Sequence, residues 1–303
     1  MKKKSALAVA AIIATTVIWG ANFVVLQVAS DAGVPAGAMV TIRFGLAASV
    51  VGLIFRKRLR KFTRKELFQG TLAGFFMIAA FYLQTLGAEF TSAANNGFIT
   101  QLNAVLVPFA AWIMTGKRPR WNVYPALLMC VCGVFAVAYW EAGASFGTGD
   151  ILTVACAVFF GLHMAYLGKI AGAMDYMKLV FLQLAASFVF TVPVFLARDM
   201  WLLGDVDWAK GLPAVLYLAI MATLVCYLLQ TWAIRYVNSG TTAILTASEG
   251  VWCGIFSVLF GFNSFSWGYV VGGLLIFLSA AVGEWKPGMF KKRKNLSDKI
   301  ERN

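Results

Sequence analysis

The sequence contains a single histidine, His163, and only five cysteines, all of which lie within apolar stretches. Neither a His-Glu-x-x-His motif nor a His/Cys cluster can be built from this set, and Cys130 and Cys132 are too close together for a zinc clip. Cysteines that avoid the predicted outer loops are typical of small packing residues and not of disulfides. The sequence therefore predicts no metal site and no cofactor.

Charged residues are also scarce. They make up 13% of the 303 residues, whereas 60% are hydrophobic and the mean hydropathy is +0.77. No soluble domain carries so many long apolar runs, so the predicted fold class is an all-α integral membrane protein. Ten transmembrane helices are predicted, at roughly 6–28, 36–55, 67–87, 92–115, 121–140, 151–170, 176–196, 212–234, 239–260 and 267–282.

Acidic residues number 13 against 26 Lys and Arg, which gives a formal net charge of +13. A surplus of this size can indicate nucleic-acid binding, but the distribution of the charges indicates a membrane protein. With the N-terminus in the cytoplasm, all Lys and Arg except Arg43, Arg198 and Lys210 lie on the cytoplasmic side. The sequence therefore predicts a multi-pass protein of the cytoplasmic (plasma) membrane with both termini in the cytoplasm, basic clusters that face anionic lipid, and no nucleic-acid partner.

Polar residues of the second half of the chain follow polar residues of the first half at nearly constant offsets. At an offset of 146 they are Gln84-Thr85 with Gln230-Thr231, Thr100 with Thr246 and Asn103 with Glu249, and at an offset of 141 they are Gly20-Ala21-Asn22 with Gly161-Leu162-His163. Five helices per repeat is an odd number, so the two repeats must be inverted in the membrane, with a shared site near the midplane. The predicted domains are a first five-helix repeat over 1–145, a second over 146–285 and a basic cytoplasmic tail over 286–303.

Glu249 is a lone carboxylate in the ninth predicted span and would lie about 15 Å inside it, near the membrane midplane. An ionisable group at this depth normally faces a bundle interior or a water-filled cavity. Asn96, Thr100 and Asn103 follow helical spacing on one face of the fourth span, so they are expected to face the same cavity. The alternative is that these polar groups only hydrogen-bond neighbouring helices.

The predicted substrate-binding set joins polar and aromatic residues that fall at matching depths. It consists of Trp19, Asn22, Tyr82, Asn96, Thr100, Gln101, Asn103, His163, Tyr227, Gln230, Thr246, Glu249 and Trp252. The aromatic rings could form cation–π contacts with a ligand, or they could anchor the spans at the membrane interface. Glu249 and His163 are also the proton-coupling candidates. Arg43 lies about 10 Å inside the second span and is assigned a structural role, with Asp31 or Glu89 as its expected partner.

These features resemble the drug/metabolite transporter (DMT) superfamily, in its ten-helix EamA-type branch, over nearly the whole chain. The resemblance is carried by Trp19-Gly20-Ala21-Asn22-Phe23 in the first span, Ile42-Arg43-Phe44 in the second and Ser248-Glu249-Gly250-Val251 in the ninth. It implies a basket of ten helices around a cavity lined from the first, third, fourth, sixth, eighth and ninth helices. It also implies export or exchange of small metabolites by alternating access.

The predicted function is secondary active transport of a small polar or cationic metabolite, of the amino acid or amine class, with proton coupling as an option. Translocation of a lipid or of a headgroup-bearing metabolite is the alternative. A membrane-embedded enzyme is disfavoured because no nucleophile and base form a constellation, and a channel is disfavoured because no filter motif is present. The expected partners are a small-molecule substrate and the lipid bilayer, and both a monomer and a homodimer are compatible with the sequence.

Overall fold

The computed structural model describes residues 2–116, 118–139, 146–170, 174–234, 236–237 and 245–285. Within these ranges the chain forms helices joined by turns and contains no strand, which confirms the predicted all-α fold for this part. Three predicted features lie outside the described residues: the basic tail over 286–303, the end of the first predicted repeat at 140–145, and the start of the ninth predicted span at 239–244.

Helical segments of the described residues overlap the predicted spans and are numbered in chain order. They are α1 (Lys2–Asp31), α2 (Ala36–Ile54), α3 (Arg64–Ala88), α4 (Ala93–Thr115), α5 (Val123–Tyr139), α6 (Thr148–Ile170), α7 (Tyr176–Asp205), α8 (Trp208–Ala233), α9 (Glu249–Leu259) and α10 (Trp267–Glu284). Seven of them are long and apolar enough to cross a membrane, and α5, α9 and α10 are shorter apolar helices. The chain is thus a multi-pass membrane protein.

Side-chain caps fix where several helices begin. Before α3, the Thr63 hydroxyl accepts from the Glu66 backbone N–H at 3.1 Å, and the Glu66 carboxylate accepts from the Thr63 backbone N–H at 2.8 Å, which together form a capping box. Ser92, Asp175 and Ser266 accept from backbone N–H groups at the starts of α4, α7 and α10. These bonds satisfy donors that have no partner in a first helical turn.

Helix α4 is interrupted at Gln101. The Gln101 backbone N–H donates to the Phe98 carbonyl, three residues earlier, and not to the carbonyl four residues earlier as in a regular α-helix. At this point two side chains donate hydrogen bonds to backbone carbonyls. The Thr100 hydroxyl donates to the Asn96 carbonyl at 2.7 Å, and the Asn103 amide donates to the Thr100 carbonyl at 2.7 Å. Such bonds compete with the helical ladder, and Pro108 removes a further backbone donor two turns later.

Residues 197–211, which lie between the predicted spans 176–196 and 212–234, are mostly helical, and this corrects the bounds of those two spans. Helix α7 continues as a π-helical turn over Phe195–Asp199 and a 3-10 helix over Met200–Asp205, and α8 already begins at Trp208, capped by the Asp207 carboxylate. Hydropathy marks this stretch as a loop because its charged residues lower the average. Those same charged residues include the cap that starts α8.

Helix α8 contains an eight-residue π-helical stretch, Leu218–Val225, between two α-helical parts. The Thr223 hydroxyl donates to the Leu218 carbonyl, five residues earlier, at 2.9 Å. π-Helical turns are rare and occur frequently at functional sites. This one ends directly before the part of α8 that turns Tyr227 and Gln230 into the bundle interior.

Two glycines let α5 and α10 approach closely. A Cβ on Gly133 would lie 2.8 Å from the Gly272 carbonyl oxygen, and a Cβ on Gly272 would lie 2.5 Å from the Gly133 carbonyl oxygen. Helices in a membrane are held together by packing and not by the hydrophobic effect, and small residues allow their backbones to meet. The two helices therefore form a tightly packed pair.

We expect Gly133→Ala to lower the free energy of unfolding by about 1–3 kcal/mol, because the new methyl group would overlap a backbone oxygen of α10. Gly168→Ala in α6 is the matched control, since a Cβ there would meet nothing within 4 Å and Ala favours a helix. Thermal unfolding of both purified variants in the same detergent measures the difference. Equal melting temperatures would contradict the close approach of α5 and α10.

Candidate functional site

A central cavity lies inside the helix bundle and holds about 580 Å³ of atom-free space, its open mouth included. It is lined from α1, α3, α4, α6, α8 and α9, the six helices that the family resemblance implies. The lining residues are Trp19, Asn22, Phe81, Gln84, Thr100, Gln101, Asn103, Phe160, His163, Met164, Tyr227, Gln230, Thr246 and Glu249. Ten of these belong to the predicted substrate-binding set, and their role in binding stays a prediction.

Glu249 supplies a carboxylate to the central cavity. It is the first residue of α9, and the N-terminal end of a helix favours an anion. The Gln101 side chain, at the interruption of α4, lines the same cavity, and its Nε2 donates to the Gly97 carbonyl at 3.5 Å. None of the salt bridges in the described ranges involves Glu249. Within those ranges, the charge of an ionised Glu249 has no counter-ion.

Most lining residues come in pairs along the sequence. At an offset of 146 the pairs are Phe81 with Tyr227, Gln84 with Gln230, Thr100 with Thr246 and Asn103 with Glu249, and at an offset of 141 they are Trp19 with Phe160 and Asn22 with His163. The two offsets, which were found between polar residues, thus also relate aromatic residues that line the cavity. Each half of the chain contributes a counterpart to nearly every lining residue of the other half.

Two polar atoms at the central cavity are buried without a hydrogen-bond partner, Asn22 Oδ1 and His163 Nδ1. The other ring nitrogen of His163, Nε2, lies 3.0 Å from Gln183 Oε1. When Nε2 donates its proton to Gln183, Nδ1 is an acceptor, as Asn22 Oδ1 is. Buried polar atoms are normally satisfied. Together with Glu249, these acceptors favour a ligand that carries N–H or O–H donors.

Aromatic rings form the remaining wall of the central cavity. Ring centroids are 5.9 Å apart for Trp19 and Tyr227, 4.9 Å for Phe81 and Phe160, and 6.2 Å for Phe81 and Tyr227. These are the distances of edge-to-face and tilted pairs. The Trp19 indole N–H donates to the Ala222 carbonyl in the π-helical stretch at 2.8 Å, which fixes the ring. Aromatic faces near a carboxylate favour a cationic ligand.

The central cavity can bind and release a small ligand by charge, hydrogen bonds and aromatic contact. In the described ranges, no group of three or more His, Cys, Asp or Glu side chains is placed to hold a metal ion. Four cysteines are buried and Cys132 is exposed on its helix.

The profile of the EamA-like transporter family matches residues 6–139 and again residues 147–282. The chain belongs to the EamA-like transporter family. It is accordingly a membrane transporter of the DMT superfamily and not an enzyme.

Relatives of this EamA-family transporter carry compatible descriptions. An uncharacterized transporter of Archaeoglobus fulgidus is 32% identical over 244 residues, which cover 80% of this chain and 74% of the relative. The uncharacterized transporter YetK of Bacillus subtilis is 24% identical over 231 residues, which cover 68% of this chain and 65% of YetK. A solved crystal structure has the same fold, with a TM-score of 0.66 at 19% identity, over 91% of this chain and 95% of the solved chain.

Three predicted residues of this EamA-family transporter are not among the residues that line the central cavity. Tyr82 lines a second cavity, near the start of α2. Asn96 is fully buried, and its amide donates to the Gln84 carbonyl at 2.9 Å. Trp252 stacks on Phe256 along α9, with ring centroids 6.1 Å apart. Helical spacing places these residues near the right face but does not fix which side chains reach the cavity.

The sequence prediction also omits four lining residues, Phe81, Gln84, Phe160 and Met164. The offsets pair the first three with Tyr227, Gln230 and Trp19, so a signal for them exists in the sequence. Consecutive helical residues point about 100° apart, and Phe81, not Tyr82, therefore faces the cavity. A lone methionine carries no comparable signal.

Arg43 is 1% exposed and does not pair with Asp31 or Glu89, contrary to the prediction. Its Nε donates to the Thr223 hydroxyl, and its guanidinium carbon lies 4.4 Å from the centroid of the Phe81 ring. Glu89 instead lines the second cavity, beside the start of α2. The first residue of α2, Ala36, lies about 10 Å from Arg43 along the helix axis.

We expect a cysteine introduced as Asn103→Cys to react with a small water-soluble thiosulfonate reagent, and one introduced as Asn96→Cys to resist it. Asn103 is half-buried at the central cavity, whereas Asn96 is fully buried, and a thiol must meet water to form the reactive thiolate. A Cys132→Ala background removes the exposed native cysteine. Equal labelling rates for the two variants would contradict the assignment of the cavity wall.

Proposed function

We propose that this transporter moves a small polar or cationic metabolite, of the amino acid or amine class, across the cytoplasmic membrane by alternating access. Glu249 carries the proposal: it lines the central cavity beside Gln101 and has no salt bridge among the described residues. A buried charge without a counter-ion is costly, and the ammonium group of a substrate would neutralise it. Asn22 and His163 would accept its remaining N–H or O–H groups.

The proposed framework is two five-helix repeats, over 1–145 and 146–285, inserted in opposite orientations to give ten transmembrane helices. The twofold match of the family profile supports it, and so do the residue pairs that share one cavity. In transporters with inverted repeats, rocking of one repeat against the other exposes a fixed site to each side in turn. The placement of the basic residues supports cytoplasmic termini and a cytoplasmic tail at 286–303.

Glu249 and His163 are the proposed proton carriers. Both line the central cavity, and both are ionisable. A carboxylate that holds either a proton or a substrate cation makes the two events mutually exclusive. This exclusion is what couples export of a cation to entry of a proton.

A second candidate function is translocation of a lipid or of a headgroup-bearing amphiphile. An apolar groove of about 1010 Å³ lies between α9 and α10, and Phe98 forms part of its wall. Gln101 of the central cavity and Phe98 of the groove both lie close to Gly250, where a Cβ would be 3.0 Å and 3.3 Å from them. Affinity that rises by about fourfold per methylene along a series of alkylamines would favour an amphiphile, and a flat series would favour a small polar substrate.

Uptake into proteoliposomes tests the proposed function. We expect Glu249→Gln to reduce uptake of cationic amines by at least about tenfold, because a neutral amide cannot supply the counter-charge. Glu66→Gln is the matched control, since Glu66 pairs with Lys178 at 2.9 Å and does not line the central cavity.

Uptake that is indifferent to Glu249→Gln, with both proteins reconstituted in equal amounts, would overturn the proposal. Uptake that depends on Glu249 but ignores an imposed pH gradient would leave the carboxylate its role in substrate binding. It would refute the proton coupling.

A further inference from the structure

A buried amide lies behind the only histidine of the chain. Gln183 on α7 is fully buried, and its Oε1 lies 3.0 Å from Nε2 of His163 on α6. His163 lines the central cavity, whereas Gln183 is not among the described residues that line it. Gln183 can therefore act on a ligand through the imidazole ring and not by touching the ligand.

The backbone around Gln183 packs tightly against α3. A Cβ on Gly74 would lie 2.7 Å from the Gln183 carbonyl oxygen. The Ser187 hydroxyl, one turn later in α7, donates to the Gly74 carbonyl at 3.0 Å. These contacts hold α7 against α3, so they also fix the point from which the Gln183 side chain reaches the ring.

The contact between the ring and the amide leaves one polar atom of each without a partner. These atoms are Nδ1 of His163 and Nε2 of Gln183. A neutral imidazole carries one proton, so one of its nitrogens donates and the other accepts. The amide presents its carbonyl oxygen to Nε2, which places the proton on Nε2 and leaves Nδ1 as an acceptor. The reverse orientation of the amide would place the proton on Nδ1.

The counterpart of His163 in the first half of the chain offers the same chemistry. Asn22, at the offset of 141, also lines the central cavity, and its Oδ1 is buried without a partner. Tyr227 on α8 meets the His163 ring edge-on, with ring centroids 6.3 Å apart, and Glu249 on α9 lines the same cavity. Buried acceptors are normally satisfied, and N–H or O–H groups of a ligand would satisfy these two.

We propose that Gln183 is a positioning residue, which holds His163 as the Nε2–H tautomer so that Nδ1 accepts a hydrogen bond from the ligand. The inference rests on the function proposed above, and it names the ring atom that a ligand or a proton meets. Gln183 Oε1 can accept from Nε2–H in the neutral ring and in the protonated ring. A proton that His163 carries would therefore enter and leave at Nδ1, and the amide would not have to turn.

Nitrogen NMR of the purified full-length protein tests the tautomer. Isotope-labelled histidine, with a purification tag that lacks histidine, gives the two ring signals of one residue, because His163 is the only histidine. Protonated and unprotonated ring nitrogens resonate far apart. We expect Nε2 to be protonated and Nδ1 to be unprotonated. The probes are ethanolamine, butylamine and phenethylamine, and binding of at least one of them should move the Nδ1 signal more than the Nε2 signal.

Variants of α7 separate the amide from its surroundings. In Gln183→Leu the Nε2–H group loses its acceptor, so the proton should move toward Nδ1, and the affinity for the amine in isothermal titration should fall about fivefold or more. Gln183→Glu keeps an oxygen acceptor, so Nε2 should stay protonated. Ser187→Ala is the matched control, since Ser187 is buried on the same helix and bonds to α3. The control should keep both the tautomer and the affinity.

Each outcome decides the inference. A protonated Nδ1 in the unmodified protein overturns it, and that measurement needs no variant to fold. A tautomer or an affinity that Gln183→Leu leaves unchanged overturns it as well. When amines bind but leave the Nδ1 signal in place, the inference falls and the proposed transport function, which depends on Glu249, stands. When no amine binds, both fall.

Discussion

The free-energy cost of placing a polar or charged group in hydrocarbon governs this structure. The bilayer core offers no water, so every backbone and side-chain polar group must find its partners inside the bundle. Exposed side chains of the described helices are accordingly apolar at positions such as Ile113 and Leu128, whereas Gln84, Thr100 and Gln230 are buried at one cavity. The central cavity is the place where the polar groups of several helices can satisfy one another and a ligand.

The same constraint explains where the helices depart from regular geometry. Helix α4 is interrupted at Gln101, the π-helical stretch of α8 ends just before Tyr227, and α9 begins at Glu249. All three residues line the central cavity. Irregular backbone at membrane depth is tolerated only where protein or a cavity supplies other partners, as the indole of Trp19 does for the Ala222 carbonyl. The need to satisfy polar groups inside the membrane therefore explains both the irregular backbone and the polar lining of the central cavity.

Hydropathy predicts the helices of this chain well because a membrane leaves the backbone few choices. It fails between α7 and α8, where charged residues form caps and turns, since hydropathy measures composition and not hydrogen bonding. Helical spacing and the offsets find most of the cavity, but spacing alone cannot decide between neighbours such as Phe81 and Tyr82. The partner of Arg43 is Thr223, 180 residues away, and only the packing of α2 against α8 reveals it.

Residue pairs related by the two sequence offsets line most of the central cavity. The two members of a pair often differ in their chemistry. In two pairs an amide in the first family-matched segment has an ionisable group as its counterpart in the second: Asn103 with Glu249, and Asn22 with His163. An amide offers the same hydrogen bonds at any pH, whereas an ionisable group can give up a proton for a ligand. The buried cation, Arg43, belongs to the first segment. The ionisable groups of the central cavity, His163 and Glu249, both belong to the second segment, so the first segment supplies hydrogen bonds that do not change with pH and the second supplies groups that can exchange a proton.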